Sequence, residues 1–231
     1  MIRVVKKIKK RINQIISKKN NSVTMVIDKA MFLKFLPINP IIIDCGAHIG
    51  LDTIELAKIS GSNIYAFEAV EEVYTQLLNN TCNVPNIKCF NLALNSYDGT
   101  ADFFISSGSS DGSSSLLQPK EHINDHPDVY FHKINKVTCR KLDTWALEND
   151  IKKVDMLWLD MQGAEQQMLT ASSKILETVI VIHSEVSTKE TYEGVVSYKW
   201  YKKFLKDKGF SVIVEAIPKG YDMGNVLFVR K

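Results

Sequence analysis

A run of β-branched residues meets an aspartate and two glycines in Ile41-Ile42-Ile43-Asp44-Cys45-Gly46-Ala47-His48-Ile49-Gly50, and a glutamate closes the next apolar run at Tyr65-Ala66-Phe67-Glu68. A strand ending in D-x-G-x-x-x-G builds a tight turn into a helix start, the place where an open α/β sheet admits a nucleotide-like ligand. Glu68 stands 24 positions after Asp44, which suits the end of a second strand whose carboxylate takes both hydroxyls of a ribose. Dinucleotide sites instead use G-x-G-x-x-G, so that bare backbone approaches an anionic pyrophosphate. Here Ala47 and His48 fill the middle of the turn and Asp44 precedes it. A carboxylate there repels pyrophosphate and attracts a cationic ligand. The charge argues for S-adenosylmethionine, with Asp44 at the amino-acid end, Glu68 and Ala69 at the ribose, and Gly46, Ala47, His48 and Gly50 forming the loop beneath. Ala93, just past the third strand, falls where the adenine should sit. The plainer alternative is an ordinary strand-to-helix turn needing glycine for φ > 0, with His48 a simple loop residue.

Methyl transfer needs an oriented acceptor and, for an alcohol, a group that removes its proton. Asp160 follows the apolar run Val154–Leu159 at the strand end where ligands meet such sheets, and is the first choice as base or acceptor-orienting residue. His183 and Glu185 follow a fifth strand, Thr178–Ile182, on the same rim. The histidine could collect a proton near neutral pH, and Glu185 could hold the acceptor hydroxyl. Glu165 either joins them or stabilises the first turn of its helix. This reading assigns no metal ligand, while leaving open a magnesium ion on Asp160, His183 and Glu185, whose hard oxygens would suit it. His122, His126 and His132 repeat no known ligand spacing and read as solvated loop residues.

Positioning these residues requires alternating elements. Strands are expected at Ile41–Cys45, Asn63–Phe67 and Ile87–Leu92, helices at Leu51–Lys58 and Val70–Asn80, then the two later strands, each followed by a helix. That rhythm implies a parallel, Rossmann-like α/β sheet with right-handed crossovers. Ser211–Ala216 and Asn225–Arg230 have only a turn-rich segment between them and should form an antiparallel hairpin at the edge, for seven strands in all. The catalytic domain is expected over 37–231, preceded by helices in 1–36. Within the domain the serine-rich stretch Ser106–Ser115 has too little apolar surface to order itself, so 106–135 reads as a flexible loop or lid.

At 231 residues and 45% hydrophobic content the chain can bury one full core. Residues 1–19 carry eight basic side chains and no acid, leaving 21 basic against 26 acidic elsewhere, so the net charge of +3 belongs to this segment. Ile2, Val5, Ile8, Ile12, Ile15 and Ile16 recur at helical spacing among its lysines. Such a basic amphipathic helix would pack on the domain or a partner subunit, or lie on an anionic membrane, or hold nucleic acid. No apolar run reaches the roughly 20 residues of a membrane span and no signal-peptide pattern is visible, so a cytoplasmic protein, at most membrane-peripheral, is expected. Cys45, Cys82, Cys89 and Cys139 show no C-x-x-C spacing.

Several finer motifs occur in order: Asn91-Leu92-Ala93-Leu94, Asp98-Gly99-Thr100-Ala101-Asp102-Phe103, Ser113-Ser114-Ser115-Leu116, Leu142-Asp143-Thr144-Trp145, and Leu159-Asp160-Met161-Gln162-Gly163-Ala164-Glu165. Together they resemble the signature of FkbM-type methyltransferases over about residues 40–231. The resemblance implies the class I methyltransferase fold, S-adenosylmethionine as cofactor, and O-methylation of a hydroxyl on a sugar, glycan or natural product. The usual family segment reads more like I-D-V-E-G-A-E, so Met161 and Gln162 depart from it. An RNA methyltransferase using the basic segment, and a binding protein that keeps the fold without turnover, are the other readings.

Overall fold

The structure, a computed structural model, describes residues 27–231. The whole of the basic segment's predicted helix, and the first part of the helix expected over Val23–Leu36, therefore lie outside the described residues. The remainder of the latter is the single turn α1 (Ala30–Leu33), which stops before Pro37 and Pro40.

The central sheet has seven strands. Ile41–Cys45 (β1), Asn63–Glu68 (β2) and Ile87–Asn91 (β3) lie parallel, and β1 pairs on its other side with Met156–Leu159 (β7), then Val181–Ser187 (β8). The order is β3-β2-β1-β7-β8-β10-β9. The last strand, β10 (Met223–Arg230), inserts antiparallel between β8 and β9 (Phe210–Ala216). The expected hairpin is thus present.

Parallel strands covered on both faces need apolar side chains on both, which is why Ile41–Ile43 is continuous rather than alternating. Ile42, Met156 and Val181 pack toward Phe32 of α1 and Leu56 of α2 (Leu51–Ala57). The same face receives Leu77 of α3 (Glu71–Thr81), against Ala66. Ile43, Leu157 and Ile182 point the other way, into a larger core shared with four more helices: α5 (Leu142–Glu148), α6 (Glu165–Thr170), α7 (Ser173–Thr178) and α8 (Tyr198–Asp207). Trp145 of α5 anchors that core with edge-on contacts to Tyr65, Phe67 and Phe90 at 5.2, 4.9 and 5.2 Å. Two aspartates of the ordered motifs hold backbone ends: Asp98 accepts from Lys141 N (2.8 Å) and Thr144 Oγ1 (2.9 Å), and Asp143 from Lys174 N (3.0 Å) and Ile175 N (2.9 Å). They start α5 and α7 where neither helix has a side-chain cap of its own.

The structure departs from the sequence expectation beyond β3. Ala93–Leu94 (β4), Gly99–Gly108 (β5) and Val129–Arg140 (β6) form a second sheet of order β4-β6-β5, with the short α4 (His122–Asp125) before β6. Both ends of the stretch read as a loop or lid, 106–135, are therefore strand. The serines order it through hydroxyls rather than apolar burial: Ser114 Oγ accepts from Ser106 N (2.9 Å), Ser106 Oγ from Ser113 N (3.0 Å), and Phe104 and Ser115 exchange backbone bonds. His122 likewise is not solvated but buried, in ring contact with Phe131 and Tyr192.

Candidate active site

The C-terminal ends of β1, β2 and β7 open onto a pocket of about 240 Å³. Its turn begins at Gly46, whose φ of +83° and position leave no room for a side chain: a Cβ would sit 1.9 Å from the Asp160 carbonyl oxygen. Gly46 lets two loops touch, and Asp160 N in turn donates to Cys45 O at 3.0 Å. Gly50 serves the opposite side. At φ +91° its Cβ would meet Leu77 of α3 at 2.7 Å, so this glycine packs the helix behind the pocket rather than lining it.

Asp44 lies fully buried at the base of the pocket, accepting from Thr53 Oγ1 of α2 at 2.6 Å. Burial pushes its carboxyl up to about 7, the Thr53 bond opposing, with Asp52, Asp160 and Glu68 adding smaller repulsion. Glu68 accepts from Val70 N (2.8 Å) and His48 N (3.0 Å), and desolvation raises it too. The backbone thus aims the Glu68 carboxylate while leaving lone pairs free for a pair of hydroxyls. Ala47, His48, Ala69 and Ala93 complete the predicted set on the wall. Asp52 and Asp111 also reach it, and among the described residues no lysine or arginine does. His48 Nε2 lies 3.1 Å from Asp111 Oδ1, close enough for an ion pair though not aligned as a hydrogen bond. This acidic wall could hold a sulfonium and an ammonium, and Leu92, Phe103 and Leu116 form an apolar slot that could take a purine. Phe103 comes from the second sheet, an element that strand periodicity did not reveal.

Asp160 and Glu185 do come together. β8 runs past the end of β7, setting Glu185 beside Asp160, although of the two only Asp160 lines the pocket. Gln162 Nε2 donates to both, at 2.7 Å to Asp160 Oδ1 and 3.0 Å to Glu185 Oε2. Glu185 is half-buried, whereas Asp160 is exposed. Desolvation is the largest cause raising each carboxyl, and the mutual repulsion adds to it for Glu185. Both carboxyls are thus held above the ordinary carboxylate range, and their titration belongs to the pair. Glu165 accepts from Met161 N at 2.8 Å and burial lifts it to about 7; it braces the loop that carries Asp160.

His183 stands apart. The sequence places it after the fifth strand; the structure places it inside β8, level with Trp158, because the strand runs three residues past Ser184. Its ring stacks on Trp158 at 3.6 Å and 4°, and burial pushes it down to about 3, so it is neutral at physiological pH. It does not line the pocket. A magnesium site on Asp160, His183 and Glu185 does not fit this geometry, since the imidazole is withheld and an N–H donor bridges the two carboxyls. Among the described residues no three His, Cys, Asp or Glu side chains group as a metal site.

An acidic pocket at the strand ends of a 3-2-1-7-8-10-9 sheet defines a class I methyltransferase. The chain belongs to the methyltransferase FkbM domain family, whose model matches residues 44–212, and it is an S-adenosylmethionine-dependent methyltransferase. It is 27% identical over 195 residues to the 2-O-methyltransferase NoeI of Sinorhizobium fredii, covering 82% of this chain and 79% of that protein. It is 22% identical to the methyltransferase sdnD of Sordaria araneosa, over 85% and 83% of the two chains. The fold is similar to that of the Methanococcus jannaschii fibrillarin pre-rRNA processing protein, with TM-score 0.50 at 14% identity over 83% of this chain and 66% of that one.

Proposed function

We propose that the protein transfers a methyl group from S-adenosylmethionine to a hydroxyl of a sugar or glycan, with the Asp160–Glu185 pair facing the acceptor. The observation that carries this reading is Asp160 on the wall of the cofactor pocket, joined through the Gln162 amide to Glu185 behind it. S-Adenosylmethionine, when bound, supplies an electrophilic methyl on a sulfonium. Asp44 and Glu68 hold its two ends, and the apolar wall excludes water from its base. Asp160 is then the base: its exposed edge can accept the hydroxyl proton, while Gln162, donating to it and to Glu185 behind it, fixes its orientation. A base raised toward neutrality suits an alcohol better than an ordinary carboxylate, because it is less mismatched to the proton it takes. The 2-O-methyltransferase name borne by the NoeI relative supports an oxygen acceptor.

The experiment is transfer of labelled methyl from S-adenosylmethionine to a panel of free sugars, sugar nucleotides and oligosaccharides, with RNA as a control. Label that survives mild alkali in a sugar product, and is lost in Asp160→Asn, is the expected result. Label in RNA, or as an alkali-labile ester, overturns the reading.

A further inference from the structure

Gln162 has more polar partners than any other side chain near the pocket. Its Nε2 reaches Asp160 and Glu185, its Oε1 faces the Tyr192 hydroxyl at 3.0 Å, and its carbonyl accepts from Ser115 Oγ at 2.8 Å. Tyr192 is fully buried and also reaches Ser113 O at 2.7 Å, so the ordered serine segment fixes the position of the amide. The backbone there is left-handed, with φ +50° at Gln162 and +95° at Gly163, a conformation that a residue other than glycine holds only at a cost. The two carboxyls set the amide orientation, since reversed its Oε1 would face carboxyl oxygens instead of donating N–H groups to them.

An amide in that place has a specific chemical consequence. It offers two N–H donors and no charge, so it bridges the carboxyls without cancelling their mutual repulsion. A divalent cation would relieve the same repulsion, but it needs oxygen ligands where this site presents N–H. We propose that Gln162 is a positioning residue that takes the place of a bridging cation, clamping Asp160 and Glu185 as a hydrogen-bonded pair and making the acceptor site independent of divalent metal. The inference rests on the reading that this pair faces the acceptor, and its test does not require the acceptor to be known.

The full-length protein is titrated with Mn²⁺ and followed by electron paramagnetic resonance, as wild type and as Gln162→Glu. Wild type takes up no stoichiometric Mn²⁺ below about 1 mM, whereas the variant, with a third carboxylate and no donor, binds one ion per chain at least tenfold more tightly. In parallel, samples labelled with carboxyl-¹³C Asp and Glu are titrated by NMR. Gln162→Met removes both N–H donors from the carboxylates, so the step belonging to the pair moves up by about one pH unit, while the melting temperature confirms folding. Micromolar Mn²⁺ binding by wild type, no gain of binding in Gln162→Glu, or an unmoved carboxyl step in folded Gln162→Met each overturns the inference. If Gln162→Met does not fold, the two Mn²⁺ titrations still decide. Failure of wild type to bind S-adenosylmethionine in the same samples would sink the methyltransferase reading instead, leaving the Mn²⁺ and NMR results to judge Gln162 alone.

Discussion

Cofactor affinity should depend on pH through Asp44, and the size of the effect follows from its burial. With its carboxyl pushed up to about 7 and a neutral hydroxyl as its hydrogen-bond partner, the group is mostly protonated below that pH in the free protein. A cationic ligand favours the ionised form, so binding expels the proton. If only the ionised form binds, apparent affinity scales with the ionised fraction, about 3% at pH 5.5 and about 76% at pH 7.5, a loss of about 25-fold on acidification. Glu68, raised in the same direction by its burial, adds to the effect. The window stops at pH 7.5 because α-amino groups, including the ligand's own, titrate near 7.7–8.0. Calorimetry in two buffers of different ionisation heat reads both quantities, and at pH 6 about 0.9 proton should leave per cofactor bound. Asp44→Asn should bind at least tenfold more weakly at pH 7.5 and lose most of the pH dependence. An affinity flat within twofold across the window, with no proton release, would show that Asp44 is ionised before the cofactor arrives and that the cation-attraction argument is wrong.

Other outcomes follow from the same contacts. Glu68→Gln should weaken S-adenosylmethionine at least tenfold, because the amide cannot accept from two ribose hydroxyls and from His48 N and Val70 N together; calorimetry at pH 7.5 checks it. Gly46→Ala forces a Cβ onto the Asp160 carbonyl at a positive φ and should cost on the order of 3 kcal/mol in urea unfolding. Asp143→Ala frees the first turn of α7 and should cost about 1 kcal/mol without changing cofactor affinity. Asp44 and Glu165, both raised to about 7, bind protons in the folded state that the unfolded chain releases near pH 4. His183, held neutral by burial, acts the other way below about pH 6.5, but two carboxyls outweigh one imidazole. Urea unfolding of the cofactor-free protein should therefore give a stability that falls as pH rises from about 4.5 to 7.

Much of the central sheet could be read from the chain because parallel strands are apolar on both faces and end in recognisable turns. Ile41–Cys45 and the Asp44-to-Gly50 turn fall within a residue of expectation. The β8 boundary did not. Thr178 looks like a strand residue but ends α7, its Oγ1 bonding Val154 O and Ile175 O. His183, Ser184 and Glu185 look like a loop but continue the strand. Polar residues can lie within a strand when they face a ring, a buried hydroxyl or a carboxylate partner, and such partners are invisible in local composition. The same blindness hid the second sheet, where strand pairing and serine hydroxyls supply the order that apolar content does not. Asp160 and Glu185 were legible as rim residues. The amide joining them was not, since nothing at Gln162 announces that three loops converge on it.

The position of β10 carries a consequence for how the chain is made. This strand follows β9 in sequence yet lies between β9 and β8, so β9 has no berth in the sheet until its successor arrives. Until residues 223–230 emerge, β8 presents a bare edge with Glu185 on it, and the Phe210–Ala216 segment waits as an unpaired apolar ribbon. Arg230 then ties the seam, its guanidinium bonding the carbonyls of Val179, Lys208 and Leu176. A chain that ended before Met223 would have two open templates for association with its neighbours, so this strap of eight residues is what closes the sheet.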